Sequence, residues 1–225
     1  MVDHLQHLDA DVLAVADVLR TTDPGSLVPS CPGWTLRDLA GHLGGVHRWG
    51  AQVVRTGEPG RPPAATPPDD ELADWLTAGA AALREVLLEA GDRPVWTFGE
   101  PATARFWARR QSLETLLHRV DAQRAAGREA PVDEALAEDG IAEVLDVLVP
   151  MQVRLGRTTA PTSGAWLVTG TRRLLGAEPA RTELAGPASA VLLLLWGRLP
   201  RTDPRLSATG DLAALDALLA GRLTP

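Results

Sequence analysis

The sequence lacks the features of membrane-spanning and secreted proteins. No run of about 18 or more uncharged apolar residues exists that could cross a bilayer as a helix, and the apolar stretch at residues 191–196 is far too short to do so. Residues 1–20 carry acids and histidines among their apolar residues, instead of the basic start and apolar middle of a secretion signal. We therefore expect a cytoplasmic protein with no membrane partner.

Cysteine and lysine are also scarce. Cys31 is the only cysteine, which excludes an internal disulfide and a zinc site made of thiolates alone. Any metal site must therefore use imidazole and carboxylate ligands. The chain has no lysine, its formal net charge is −7, and its arginines are interleaved with acids. Nucleic acid, which requires a positive protein face, is therefore not an expected partner.

Apolar residues recur at steps of three and four residues in the first two thirds of the chain, which predicts amphipathic helices. The predicted helices cover residues 3–19, 35–55, 70–90, 103–126 and 133–149. Thr35 and Asp38 form a capping pair at the start of the second helix, and Pro150 is expected to end the fifth. Residues 56–70 are rich in proline and glycine, which predicts an exposed connector.

The pattern changes after residue 150. Short runs such as AWLVTG (residues 165–170) and ARTELAG (180–186) are bounded by turn residues and predict strands. Helices are predicted again over residues 187–197 and 211–220. We therefore expect a mainly α protein with two domains, a helical bundle over residues 1–150 and a small α/β domain over residues 151–225.

The fourth predicted helix carries a possible site. Glu114 and His118 are four residues apart, so both side chains project from one face. The helical period assigns five residues to its core-facing stripe: Phe106, Leu113, Leu116, Leu117 and Val120. It assigns four to a solvent face: Ser112, Thr115, Arg119 and Ala122. Glu114 and His118 fall between these faces beside Trp107, which is typical of a pocket wall; the alternative is a surface pair without function.

A third ligand must come from another helix, and the second helix offers His42 and His47. Both lie at the margins of its apolar stripe, so the periodicity does not choose between them. Two imidazoles and one carboxylate fill three positions around zinc and leave the fourth open for water or substrate, which is the catalytic arrangement. A metal ion lowers the pKa of a water or thiol at such a position and so produces a nucleophile at neutral pH.

Two long segments resemble the mycothiol-dependent maleylpyruvate isomerase family, part of the DinB-like superfamily of metal-binding helical bundles. They are VPSCPGWTLRDLAGHLGGVHRW (residues 28–49) and FWARRQSLETLLHRVDAQRAAG (residues 106–127). The resemblance implies an up-down bundle whose divalent metal, zinc by preference, is held by His42, Glu114 and His118. It also implies that His47 is a pocket or core residue.

The C-terminal part resembles the same family through GPASAVLLLLWGRL (residues 186–199) and TGDLAALDALL (residues 209–219). In the family this part is a small α/β domain similar to sterol carrier proteins. Arg198 matches an arginine that the family places towards the active site, and we therefore expect it to be catalytic. An ordinary surface arginine is the alternative.

Four further residues are predicted to support the site. Asp121 lies three residues after His118 and could orient its imidazole. Arg109 and Arg110 could bind an anionic substrate or the thiol cosubstrate, with Trp107 as a wall of the pocket. The alternatives are an exposed helical aspartate for Asp121, surface ion pairs for the two arginines and a core position for Trp107.

The resemblance implies a metal- and mycothiol-dependent transferase or isomerase. In such an enzyme a thiolate at the open metal position attacks a small electrophilic substrate, and the protein is a monomer or a homodimer. Two other functions remain open at the level of the sequence: a metal-dependent hydrolase or lyase that uses bound water, and a non-enzymatic protein that binds a small ligand.

Overall fold

The computed structural model describes residues 2–61 and 66–225, which form two compact units. The boundary between the two units in the chain lies between Pro131 and Val132, whereas the sequence predicted it near residue 150. The boundary falls earlier because α5 (Glu134–Glu143) packs against α7 (Ala188–Leu195) and so belongs to the C-terminal unit. The predicted order, a helical bundle followed by a small α/β unit, is confirmed.

The first unit is built from α1 (His4–Thr21), α2 (Leu36–Thr56), α3 (Leu72–Ala90) and α4 (Ala104–Ala125), with a 3-10 turn directly before α3. Helices α1 and α2 each pack against both α3 and α4. These bounds lie within a few residues of the predicted ones.

The predicted capping pair at the start of α2 is present. The Thr35 hydroxyl accepts from the Asp38 amide, and the Asp38 carboxylate accepts in return from the Thr35 amide. This fixes the first turn of the helix that carries His42. The predicted connector over residues 56–70 includes residues 62–65, which lie outside the described residues.

The predicted solvent face of α4 is wrong. Ser112, Thr115 and Ala122 are fully buried, and Arg119 is almost fully buried. The period placed the apolar stripe correctly, but α4 packs against α1, α2 and α3, so its polar residues are buried as well. Arg119 is accommodated because its guanidinium forms an ion pair with Asp11 of α1.

The second unit begins with a continuous helical stretch in which α5 passes through a π-helical turn (Val144–Leu148) into α6 (Val149–Arg154). Pro150 therefore does not end the helix, contrary to expectation. In the π turn the Val149 amide bonds to the Val144 carbonyl, five residues back. The register changes directly before the proline, which lies at the start of α6, a position where proline is tolerated.

The rest of the second unit contains a four-stranded sheet made of β1 (Gly164–Val168), β2 (Arg172–Gly176), β3 (Ala180–Ala185) and β4 (Ser207–Gly210), followed by α8 (Leu212–Ala220). The strand order is β2-β1-β3-β4. Strands β1 and β3 are parallel, and the other two pairs are antiparallel. The strands predicted from AWLVTG and ARTELAG correspond to β1 and β3.

Within the described residues, none of the helices combines the length and the apolar character needed to cross a bilayer.

Candidate metal centre

Three side chains of the first unit converge on one point. Nε2 of His42, on α2, lies 3.0 Å from Oε1 of Glu114 on α4. Nε2 of His118, one turn further along α4, lies 3.3 Å from the same oxygen. All three ligand atoms lie within 4.8 Å of one another. The structure thus brings together the three residues that the resemblance implied as ligands.

The spacing of these atoms fits a zinc ion. Zinc is held at bond lengths of about 2.0–2.2 Å by nitrogen and carboxylate oxygen, and tetrahedral angles then separate neighbouring ligand atoms by roughly 3.3–3.5 Å. The distances of 3.0 and 3.3 Å from Glu114 to the two imidazoles are close to this value. Small side-chain shifts are sufficient to seat an ion, and imidazole with carboxylate is a donor set that suits zinc.

His47 faces away from this point. It is fully buried, and its Nε2 lies 2.9 Å from the Thr115 hydroxyl, which itself donates to the Gln111 carbonyl. The hydroxyl is therefore an acceptor towards His47, so the proton of the imidazole is on Nε2. Five residues separate His42 from His47, or about 140° around the helix. This angle explains how one imidazole faces Glu114 while the other packs in the core.

Arg110 holds the second oxygen of Glu114. Its Nη2 donates to Oε2 at 2.6 Å, and the guanidinium is almost fully buried. Burial acts to raise the pKa of Glu114, but the charge of Arg110 and the hydrogen bonds from His118 and His42 hold it well below its usual value. Glu114 is therefore ionised with Oε1 directed at the two imidazoles. The sequence predicted that Arg110 binds substrate or cosubstrate; its guanidinium forms an ion pair with Glu114, and a role towards substrate stays a prediction.

Asp121 is fully buried and lies behind His118. Its Oδ2 is 3.1 Å from Nδ1 of His118. Burial acts to lower the pKa of His118, but hydrogen bonds with Asp121, Cys31 and Glu114 raise it well above its usual value. A proton on Nδ1 that is donated to Asp121 leaves the Nε2 lone pair for an ion, which is the common arrangement behind a metal-bound histidine.

Trp34, directly before α2, covers the two imidazoles. Its ring stacks on His118 with a centroid distance of 6.0 Å and lies 5.0 Å from the His42 ring at a tilt. The two imidazole rings are 5.0 Å apart, edge to face. Trp34 therefore packs against both imidazole rings of the centre.

Trp107 lies in the core and not on a pocket surface. It is fully buried, and its Nε1 donates to the Trp96 carbonyl at 2.8 Å. Four rings surround it at centroid distances between 5.0 and 6.1 Å: Trp49, Trp96, Phe98 and Phe106. The sequence predicted contact with the cosubstrate, but the segment that carries Trp96 and Phe98 closes over this residue.

The remaining predicted residues are placed as follows. Arg109 is half-buried on α4 next to Arg110. Arg198 is in the second unit, in the turn after α7, where its guanidinium donates to the Trp196 carbonyl at 2.7 Å. Their roles towards substrate stay predictions.

One residue beside this centre, Ser30, is not predicted from the sequence. The Ser30 hydroxyl donates to Oδ1 of Asp121. No local pattern could have identified this contact, because the two residues are separated by 91 positions in the chain. The contact between Arg110 and Glu114, in contrast, has the spacing of a helical ion pair and could have been predicted.

His47 should make the protein sensitive to acid. Burial lowers the pKa of His47 to about 3, from an ordinary value of 6.5. Between these values the unfolded chain takes up a proton that the folded chain does not, so stability falls as the pH falls. From pH 7 to pH 5 this one residue costs about 2 kcal/mol. A His47→Leu variant should lose that part of the pH dependence, measured by urea unfolding at both pH values.

The control for this comparison is His7→Leu on α1, which should keep the wild-type difference between pH 7 and pH 5. If His47→Leu and wild type lose the same stability over this interval, then the imidazole of His47 is accessible to protons and is not the core residue described above.

The protein combines a helical bundle with a small α/β unit. The bundle carries two histidines and one glutamate that could hold a metal ion, so the class is that of helical bundles with a candidate metal centre. The family model of the mycothiol maleylpyruvate isomerase N-terminal domain matches residues 5–123. The model of the C-terminal domain of the same family matches residues 135–217. The chain belongs to the mycothiol maleylpyruvate isomerase family and is an enzyme.

Solved structures agree in fold. A crystal structure of the mycothiol-dependent maleylpyruvate isomerase is similar over 92% of both chains, with a TM-score of 0.67 and 16% sequence identity. A histidine-to-alanine mutant of that enzyme is similar over the same share of both chains, with a TM-score of 0.66 and 15% identity. No curated protein sequence matches the chain.

Proposed function

We propose that the chain is a zinc- and mycothiol-dependent isomerase or transferase that acts on a small electrophilic substrate. The observation that carries this proposal is the convergence of His42, Glu114 and His118 around one point, where the described residues supply three donors as one group. A structural zinc site would be closed by a fourth protein ligand, whereas a catalytic site keeps one position open. The membership of a family named for mycothiol and maleylpyruvate supports a thiol as the occupant of that position.

The residues of the chain have separate tasks in this proposal. His42, Glu114 and His118 hold the ion, which supplies positive charge that favours the deprotonated form of a thiol. Arg110 keeps Glu114 ionised, and its contact with Oε2 leaves Oε1 for the ion. Asp121 keeps the proton of His118 on Nδ1. Arg109, on the helix that carries Glu114 and His118, is the group that we propose for binding an anionic substrate or the thiol cosubstrate. The catalytic role of Arg198 stays an expectation from the resemblance.

An unsaturated diacid such as maleylpyruvate is the substrate that we propose first. Mycothiol, when bound, would supply a thiolate that can add to one carbon of the cis double bond, with the electron pair taken up by the neighbouring carbonyl group. The former double bond would then be single and could rotate. Loss of the thiolate would restore the double bond in the trans form, so no atom or proton would be gained or lost. With an epoxide, a halide or an activated sugar, the same attack expels a leaving group and gives S-transfer.

The test is an isomerisation assay with zinc-loaded protein, maleylpyruvate and mycothiol. We expect turnover only when zinc and mycothiol are both present, and background rates when the protein is treated with a chelator or when dithiothreitol replaces mycothiol. Turnover of an electrophile without any thiol would contradict the proposal and favour a hydrolase or lyase that uses water. Full activity in protein shown to contain no metal would contradict the role of the centre.

A further inference from the structure

The Asp121 carboxylate receives hydrogen bonds from two directions. On one side it accepts from Nδ1 of His118 at 3.1 Å. On the other side it accepts from two neighbours in the loop between α1 and α2: the Ser30 hydroxyl donates to Oδ1, and the Cys31 thiol lies 3.5 Å from Oδ2. Because Asp121 is fully buried, water does not replace these donors, and each of them matters for the charged carboxylate.

The loop that carries Ser30 is itself held firmly. The Val28 amide bonds to the Trp34 carbonyl at 2.9 Å, and the amides of Cys31 and Trp34 close two further turns at 3.0 Å each. Gly33 adopts a φ of 83°, a conformation that favours glycine. Directly after this loop the capping box of α2 begins at Thr35. Backbone hydrogen bonds on both sides of Ser30 therefore hold its backbone, which limits where its hydroxyl can lie.

The two loop donors differ in strength. A hydroxyl is a good donor to a carboxylate, whereas a thiol is a weak one. Removal of the Ser30 hydroxyl takes away a donor to Oδ1 and leaves the carboxylate less firmly held on this side. Rotation of Asp121 would loosen its bond to Nδ1 of His118, and with it the direction of the Nε2 lone pair.

We propose that Ser30 is a positioning residue of the metal centre, which acts through Asp121 on His118. The contact runs from the loop between α1 and α2, across a buried carboxylate, to the imidazole that faces Glu114. The inference rests on the proposed function, because it assumes that His118 is a zinc ligand. Ser30 itself touches neither the ion nor the substrate in this arrangement.

The affinity of the protein for Zn²⁺, measured by competition with a chromophoric chelator, tests this proposal. We expect Ser30→Ala to bind Zn²⁺ about tenfold more weakly than wild type, as is usual for loss of a group behind a metal ligand. Ser30→Thr keeps the hydroxyl and should restore most of the affinity. Ser26→Ala, in the same loop, is the matched control and should bind like wild type. Cys31→Ala should have a smaller effect than Ser30→Ala.

A spectroscopic measurement separates positioning from loss of structure. With Co²⁺ in place of Zn²⁺, Ser30→Ala should change the visible absorption of the bound ion, whereas Ser26→Ala should not. Wild-type Zn²⁺ affinity and an unchanged Co²⁺ spectrum in Ser30→Ala would overturn the proposal. A failure of Ser30→Thr to recover any affinity, or a larger loss in Cys31→Ala than in Ser30→Ala, would also overturn it.

The same experiment distinguishes this inference from the proposed function. If wild type binds Zn²⁺ no more tightly than His42→Ala, the metal centre itself is refuted. If wild type binds more tightly than His42→Ala while Ser30→Ala equals wild type, only the positioning role of Ser30 is refuted.

Discussion

Replacing His118 with alanine should weaken Zn²⁺ binding on the order of 1000-fold. Protein zinc sites contribute roughly 10–16 kcal/mol of binding free energy, so one ligand among three or four accounts for roughly 3–5 kcal/mol. Glu114 and His42 do not replace the lost ligand, because both already contribute to the same point. Isothermal titration of chelator-treated protein with Zn²⁺ measures this change, and turnover with mycothiol should fall to background in the same variant.

The matched control is His7→Ala, which removes an imidazole from α1 and should leave the Zn²⁺ affinity unchanged. Affinity within about tenfold of wild type in His118→Ala would mean that the ion, if one is bound, is not held by this histidine. A loss of Zn²⁺ affinity of about tenfold is expected for a residue that hydrogen-bonds to a ligand, and not for a ligand itself.

The second large effect concerns stability. Trp107→Ala should lower the free energy of unfolding by about 4 kcal/mol, because truncation of a buried aromatic side chain leaves a cavity. Here the cavity would lie among four other aromatic rings. The substitution would also remove the hydrogen bond from Trp107 to the Trp96 carbonyl. Urea unfolding followed by circular dichroism measures the loss. Trp107→Phe should be considerably milder, since it keeps an aromatic ring in the cluster.

The same variants decide between a core role and the predicted contact with the cosubstrate. Trp107→Phe should leave the KM for mycothiol unchanged, since the side chain is fully buried. Near wild-type stability in Trp107→Ala, together with a raised KM for mycothiol in Trp107→Phe, would place this tryptophan on the wall of the pocket.

Periodicity predicted which parts of the chain are helical, because an apolar stripe at three- and four-residue steps is a local property. It also predicted the core-facing residues of α4. It did not predict that Ser112 and Thr115 on the opposite face are buried too. Packing between distant segments of the chain decides how many neighbours a helix has. The sequence of one helix does not predict that number. The prediction that Pro150 ends the fifth helix was wrong for a related reason, since no local pattern predicts the π turn that precedes the proline.

In the candidate metal centre, too, local spacing predicted some features, and packing between distant segments decided the others. The spacing of Glu114 and His118 predicted that they share a face. The choice between His42 and His47 came from the resemblance, because a difference of about 140° at the margin of an apolar stripe does not show which side meets α4. The structure places His42 against Glu114 and His47 against Thr115. The contact from Ser30 to Asp121 joins a loop to a distant helix and had no signal in the sequence.

The most direct test is a crystal structure of zinc-loaded protein with data collected at the zinc absorption edge. We expect one anomalous peak in the first unit, at about 2.0–2.2 Å from Nε2 of His42, Oε1 of Glu114 and Nε2 of His118. The remaining position should hold a water molecule or an added thiol. A zinc ion bound at other residues, or the His42 imidazole turned away from the ion, would contradict the account.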